Sequence, residues 1–263
     1  AYVRNESFYF IEGVTWTMIG GGDLAVRYTP PGFIFDFASP SIFTKIGDQD
    51  LFYLLAFLNS SVCNLVASIL SPTLNLSPGV VARFPNIIDK GMSEEISAKA
   101  SHLVDLSVND CQNFEENLDF KVHPLVLKRC CLKDAFACFF KDNIELAEKI
   151  KNTEEEINSH FIEKYNAEQD ASHAVCMSDV TLLSNPYFRY SDDNLKPDRY
   201  CSDSICELLS FSIGCMMGRY SLDKPGLVLA SQGDTVRDYF AQIPDPSFAP
   251  DDNAIIPLTD QEW

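Results

Sequence analysis

Residues 51–70 read LFYLLAFLNSSVCNLVASIL, twenty residues without a charge. A run of that length can cross a bilayer, so its reading decides between a membrane protein and a water-borne domain. Polar residues interrupt it, among them Asn59, Ser60, Asn64 and Ser68, the last three at every fourth position along one face. Leu51, Leu54, Leu55, Leu58, Val62, Leu65, Val66, Ile69 and Leu70 keep the complementary spacing. That is the pattern of a half-buried helix in a soluble domain. It predicts one helix from about Asp50 to Leu70, ended by Ser71-Pro72, and no membrane partner.

The text before this helix is strand-like. Tyr2–Phe10 alternates and is aromatic, Gly20-Gly21-Gly22-Asp23 is a turn, and Leu24–Tyr28 can return as a strand. Pro30-Pro31-Gly32 breaks the chain before Phe33–Phe37, a further strand candidate, and Ser39-Pro40 breaks it again. After the helix comes a short extended piece, Thr73–Leu76, and Arg83-Phe84-Pro85 closes a mixed unit near residue 90.

Composition then changes. From Ser93 to Tyr165 there is no glycine and one proline, Pro124. Two long helices are expected, about Ser93–Leu118 and Pro124–Tyr165, bent at Asp119–His123, with Pro124 in a favourable first turn. Leu146, Ile150, Ile157 and Phe161 step by 4, 7 and 4 as an apolar seam. Residues 166–263 read as loop-rich, with one helix from about Ser204 to Tyr220 and an irregular, proline-containing end. The expected fold class is α+β: a mixed unit over 1–90, a long antiparallel helical hairpin over 91–165 and an acidic C-terminal region over 166–263.

The formal charge of −18, with a pI near 4.5, argues against a free-standing nucleic-acid binder. The acid is uneven. Residues 1–98 carry five basic and nine acidic groups, 99–165 nine and thirteen, and 166–263 six and sixteen. The nine cysteines, an odd number without a C-x-x-C pair, fit a reducing, cytoplasmic setting. The chain lacks a signal peptide and an initial Met, and reads as a piece of a longer polypeptide.

Several motifs resemble chemistry without supplying it. Gly20-Gly21-Gly22-Asp23 lacks the Gly-Lys-Ser/Thr of a phosphate loop and reads as a turn. His102, His123, His160 and His173 have no partner at metal-ligand spacing, so no metal site is assigned. Gly214-x-x-x-Gly218 reads as one close packing contact. Asn185-Pro186-Tyr187-Phe188 resembles the Asn-Pro-Pro-Tyr loop of amino-methyltransferases but lacks one proline and a Gly-rich cofactor loop upstream. It is read as a turn, and no catalytic residue is assigned.

A linear order of phrases carries a different signal. Gly13-Val-Thr-Trp16-Thr, Ala25-Val-Arg-Tyr28, Gly32-Phe-Ile-Phe-Asp36, Leu54-Leu-Ala-Phe-Leu-Asn-Ser60, Pro72-Thr-Leu-Asn75 and Arg83-Phe-Pro-Asn-Ile87 follow one another. Glu155–Tyr165 and Ile213-Gly-Cys-Met-Met-Gly-Arg-Tyr-Ser-Leu-Asp223 continue the series. This order resembles the region after the catalytic domain in PglX-type adenine-specific DNA methyltransferases of bacteriophage-exclusion (BREX) systems. Its first part is also similar to target-recognition domains of type I restriction specificity subunits.

The resemblance implies methyl transfer from S-adenosylmethionine to adenine in double-stranded DNA. The cofactor would sit in a catalytic domain preceding Ala1, with none held in this chain. Under that implication, Arg27 and Arg83 can meet guanine edges or phosphates and Asn75 can bond adenine. Trp16 and Tyr28 can pack on sugar or a distorted step, and Thr15, Thr17, Thr73 and Lys45 can contact phosphates. The helical pair would act as a spacer. The rival expectation is a protein-interaction module that docks other defence-complex subunits without reading bases. Either way, the chain alone is expected to bind DNA weakly.

Overall fold

The computed structural model describes residues 5–20, 23–44, 50–73, 75–85, 91–128, 130–191 and 196–251. The fold is α+β, with one three-stranded antiparallel sheet among helices. Two compact units divide the chain: residues 1–106 with 149–176, and residues 107–148 with 177–263.

In the first unit the sheet holds β1 (Gly13–Trp16), β2 (Val26–Thr29) and β3 (Ser41–Ile42) in the order β2-β1-β3. Thr15 pairs with Arg27 and Trp16 with Val26. Alternation sends Val14, Trp16 and Val26 into the core, and Thr15 and Arg27 to the other face. Two expected strands do not form among the described residues; residues 2–4 of the first lie outside them. Glu6–Phe8 is a 3-10 turn flanked by Asn5 and Phe10 in the left-handed region. Residues 33–37 are irregular. Phe10 N–H donates to Phe33 O at 2.9 Å and Gly32 N–H donates to Phe10 O at 3.2 Å. A positive φ of 65° at Phe10 and 103° at Gly32 ends the ladder there.

The decisive apolar run is two helices, α1 (Leu51–Leu58) and α2 (Ser61–Leu70), bent by 65°. Asp50 caps α1 by accepting from Phe52 N–H at 2.8 Å and Tyr53 N–H at 3.3 Å. Ser60 is extended, and its hydroxyl accepts from Cys63 N–H at 3.2 Å, starting α2 afresh. The expectation of one helix fails because Ser60 is a better cap than a helix interior residue. Among the described residues no single helix is long and apolar enough to cross a membrane. Seven of the eight residues of α1 are buried.

Helix α3 (Pro78–Val81) follows, then α4 (Ser93–Cys111) and, further on, α6 (Leu132–Tyr165). Ile96 and Ala100 of α4, and Ile157, Phe161 and Ile162 of α6, join the same core as the sheet and α1. Tyr53 and Phe57 meet the Phe161 ring at 5.5 and 5.6 Å, and Phe57 stacks on Tyr165 at 5.6 Å. Ser61 N–H donates to Asn158 Oδ1 at 2.9 Å.

The second unit starts at Ser107, within α4, and the expected Ser93–Leu118 helix stops short at Cys111. The expected Pro124–Tyr165 helix is likewise divided, into α5 (Pro124–Leu127) and α6. The helices α7 (Pro186–Tyr190), α8 (Pro197–Met216) and α9 (Val236–Gln242) complete it. Helix α8 begins before the expected Ser204, using Pro197 in its first turn. The expected irregular end contains α9, held by a reciprocal box between Thr235 and Asp238.

The core of this unit includes Phe120, Phe211, Cys215 and Tyr220. Gly214 lets the Tyr220 ring lie against α8: a Cβ there would sit 2.5 Å from that ring. Gly218 has φ of +76°, which ends the helix. The glycine pair thus serves one tight turn and contact. His123 is buried, caps α5 by accepting from Leu125 N–H at 3.4 Å, and burial lowers its pKa to about 4 despite Glu115.

Two outcomes follow. Gly214→Ala displaces the Tyr220 ring and is expected to cost about 1–3 kcal/mol, read as a lower urea midpoint. His123 binds its proton more readily unfolded than folded. Stability is therefore full above the unfolded pKa of about 6.5 and falls as pH drops toward 4, by up to about 3 kcal/mol. His123→Asn keeps a capping acceptor and should flatten that slope in denaturation series between pH 7 and 4.

Candidate nucleic-acid interface

Strand β2 is an edge of the sheet, so one side of its backbone has no strand neighbour. Asn59, at the break between α1 and α2, fills the gap. Its Oδ1 accepts from Val26 N–H at 2.8 Å, and its Nδ2 donates to Val26 O at 2.9 Å. One turn on, Asn64 Oδ1 accepts from Leu24 N–H at 2.9 Å. The side chains of the helix pair thereby act as a substitute strand along residues 24–26. On the other side of β1, Leu76 N–H donates to Met18 O at 2.8 Å, and Trp16 Nε1–H donates to Leu76 O at 2.8 Å. Ile19 and Asn75 form an antiparallel bridge.

These anchors enclose an open cleft of about 230 Å³. Its polar lining comes from Thr17, Asp23, Arg27, Asn64, Ser68 and Thr73, with further residues of β2, α2 and the Ser71–Leu76 segment. Arg27 donates from Nη2 to Thr17 Oγ1 at 2.7 Å, which holds the exposed guanidinium at the rim. Ser71 Oγ–H donates to Asn75 O at 2.9 Å and shapes the far wall. A guanidinium, hydroxyls and an amide around an open cleft can bond base edges or phosphate oxygens.

The expected contact residues are not all gathered here. Thr17, Arg27 and Thr73 line the cleft, and exposed Asn75 borders it through Ile19. Thr15 is half-buried and spends its hydroxyl on Pro40 O at 2.9 Å. Trp16 is only 1% exposed; a ring in the core cannot lie on a sugar, so Trp16 is corrected to a residue that holds the Thr73–Leu76 wall. Tyr28 faces inward, stacks on Phe52 at 5.4 Å and donates to Glu12 Oε2 at 2.9 Å. Burial and the Glu12 bond raise its pKa. Arg83 is exposed just beyond α3 and does not line the cleft. Lys45 lies outside the described residues.

Asn64, Ser68 and Asn59 were legible as the polar interruptions of residues 51–70, yet nothing in their spacing says that they clasp a strand. In the second unit, Asn185 is fully buried and N-caps α7. Its Nδ2 donates to Met177 O and Val180 O at 2.8 and 2.9 Å, and its Oδ1 accepts from Tyr187 N–H at 3.1 Å. These bonds tie Asn185 to the backbone around it, and the segment expected to be a turn opens a helix instead. Among the described residues no group of three His, Cys, Asp or Glu side chains could hold a metal ion.

No protein-family model matches the chain. The adenine-specific methyltransferase BrxX of Escherichia coli O9:H4 (strain HS) is 33% identical over 268 residues, covering 100% of this chain and 22% of that protein. The adenine-specific methyltransferase PglX of Lacticaseibacillus casei (strain Zhang) is 29% identical over 265 residues, covering 98% of this chain and 20% of that protein. The chain spans about a fifth of the length of these relatives.

Asn59→Ala leaves Val26 N–H and C=O without their side-chain partners. The expected cost is about 1–3 kcal/mol, with urea denaturation as the readout and Asn75→Ala, which loses no such bond, as the near-neutral comparison.

Proposed function

From a chain homologous along its whole length to a segment of the BrxX and PglX adenine-specific methyltransferases of BREX systems, we propose that the first unit takes part in recognising the DNA target. The observation that carries this reading is the cleft rim: an exposed Arg27, oriented by Thr17, beside Thr73 and Asn75 on a wall fixed by the core. Arg27 would meet a guanine edge or a phosphate, Asn75 an adenine edge, and the hydroxyls phosphate oxygens. Methyl transfer would be the work of the longer protein, acting on adenine in double-stranded DNA.

S-adenosylmethionine would supply the methyl group there. The described residues do not fit it. The strands are antiparallel, and no Gly-rich turn leads from a strand into a helix. No catalytic step is therefore derived from this chain; its residues orient and select.

The electrostatics support selection more than attraction. Among the described residues, Arg27 is the one cation in the cleft lining, and it shares the cleft with Asp23. A single neutralised phosphate gives weak, shallowly salt-dependent binding, so this chain alone should hold duplex DNA poorly.

In the full-length protein, Arg27→Ala combined with Asn75→Ala should reduce adenine methylation at the cognate site. Each lost bidentate contact is worth roughly 1–3 kcal/mol, and site-resolved sequencing of methylated adenine reads the loss. An unchanged methylation pattern with a folded double variant would remove DNA reading from this cleft.

A further inference from the structure

Asp23 lines the same cleft as Arg27, and its exposed carboxylate has no hydrogen-bond or ion-pair partner among the described residues. Arg27 gives one bond to Thr17 Oγ1 at 2.7 Å and none to Asp23. Two opposite charges thus share an open cleft of about 230 Å³ without being committed to each other. The backbone that carries Asp23 is held in place. The amide that follows it, Leu24 N–H, donates to Asn64 Oδ1 at 2.9 Å, which ties this point of the chain to α2. Between the two charges in sequence, Ala25 also lines the cleft and has a small side chain.

A carboxylate in this place separates the two kinds of ligand open to Arg27. A phosphate drawn to the guanidinium would meet an unpaired negative charge in the same cleft. A base edge has no net charge and meets no such repulsion, and it can donate to the carboxylate. In the major groove only two bases present a donor, the amines of cytosine and adenine. Adenine sets its N7 acceptor beside that amine, so it is matched by a side-chain amide, as in Asn75, which both donates and accepts. A carboxylate cannot donate and would face the N7 lone pair. Cytosine offers its N4 amine with no acceptor of its own beside it.

We propose that Asp23 is a specificity-determining residue that accepts from the N4 amine of a cytosine in the recognised DNA, and that Arg27 takes a guanine edge and not a phosphate. This inference rests on the DNA reading of the cleft and goes beyond it by naming the bases.

The test uses the full-length protein in cells, as wild type, Asp23→Ala and Arg27→Ala, with site-resolved sequencing of methylated adenine. Asp23 gives up no bond inside the protein, so the variant keeps its fold, which circular dichroism checks. The wild type should require cytosine at one position that Asp23→Ala relaxes, the preference there falling at least about fivefold. Arg27→Ala should relax one guanine position. A cognate duplex with 2-pyrimidinone, which lacks the exocyclic amine, in place of that cytosine should slow the purified wild type by a similar factor. Asp23→Ala should no longer distinguish the two duplexes. An unaltered site pattern in Asp23→Ala, relaxation at an adenine, or a rate change uniform over all sites would each overturn the role of Asp23. A uniform loss in Arg27→Ala would assign that residue to a phosphate and overturn the second half. The Arg27→Ala, Asn75→Ala double variant separates the two failures. If it loses methylation while Asp23→Ala keeps the wild-type pattern, the role of Asp23 alone falls; if neither changes the pattern, the cleft does not read DNA.

Discussion

The hydrogen bonds between the Asn59 side chain and both backbone groups of Val26 require several other features at once. They need β2 to be an edge strand with an outward-facing amide and carbonyl, and they need Asn59 at a helix end, where its amide can reach sideways. The break that frees it comes from Ser60, whose hydroxyl begins α2. With β2 clasped, alternation places Val26 in the core and Arg27 on the opposite face. Replacing one strand neighbour by a side-chain amide satisfies the edge without inviting another strand to add there. The core under α1 and the rim of the cleft thus share one polar contact.

Parts of this arrangement were legible in the sequence for clear reasons. The 20-residue apolar run showed its buried face because helical periodicity survives a change of axis: Leu54, Leu55, Leu58 and Val62 are buried on both sides of the bend. The bend itself was encoded by Asn59-Ser60, yet a polar pair in a helix reads equally well as a solvated face. Asp50 and Pro124 announced helix starts through local chemistry, and they do start helices. Thr235 and Asp238 announced one too, but the surrounding prolines masked it. Phe33–Phe37 failed in the other direction, since β propensity describes a half-buried pleated surface and these residues found no strand partner.

The candidate site was legible by residue type and less so by direction. Thr17, Arg27 and Thr73 meet around one cleft because strand parity and the Ile19–Asn75 bridge bring them together. Trp16 and Tyr28 were plausible contacts by chemistry, but strand parity points both inward, where their polar atoms are spent on Leu76 O and Glu12. Parity needs a known strand boundary, and a one-residue shift exchanges the faces. The start of β2 fell two residues later than the text implied, a shift that by itself leaves the faces unchanged.

Charge acts in this molecule through where each group is placed. A formal −18 describes the whole chain and says little about any one surface. Within residues 5–44 Arg27 is the one basic residue, and Thr17 holds its guanidinium at the cleft. A guanidinium with one donor held and the rest of its fork open is suited to discriminate between acceptors. It is poorly suited to draw in a polyanion unaided. On the proposed reading, long-range attraction to DNA must come from other parts of a full-length protein. Selection at the cleft then depends on those other parts, because a weak reader is useful only when something else keeps it at the DNA.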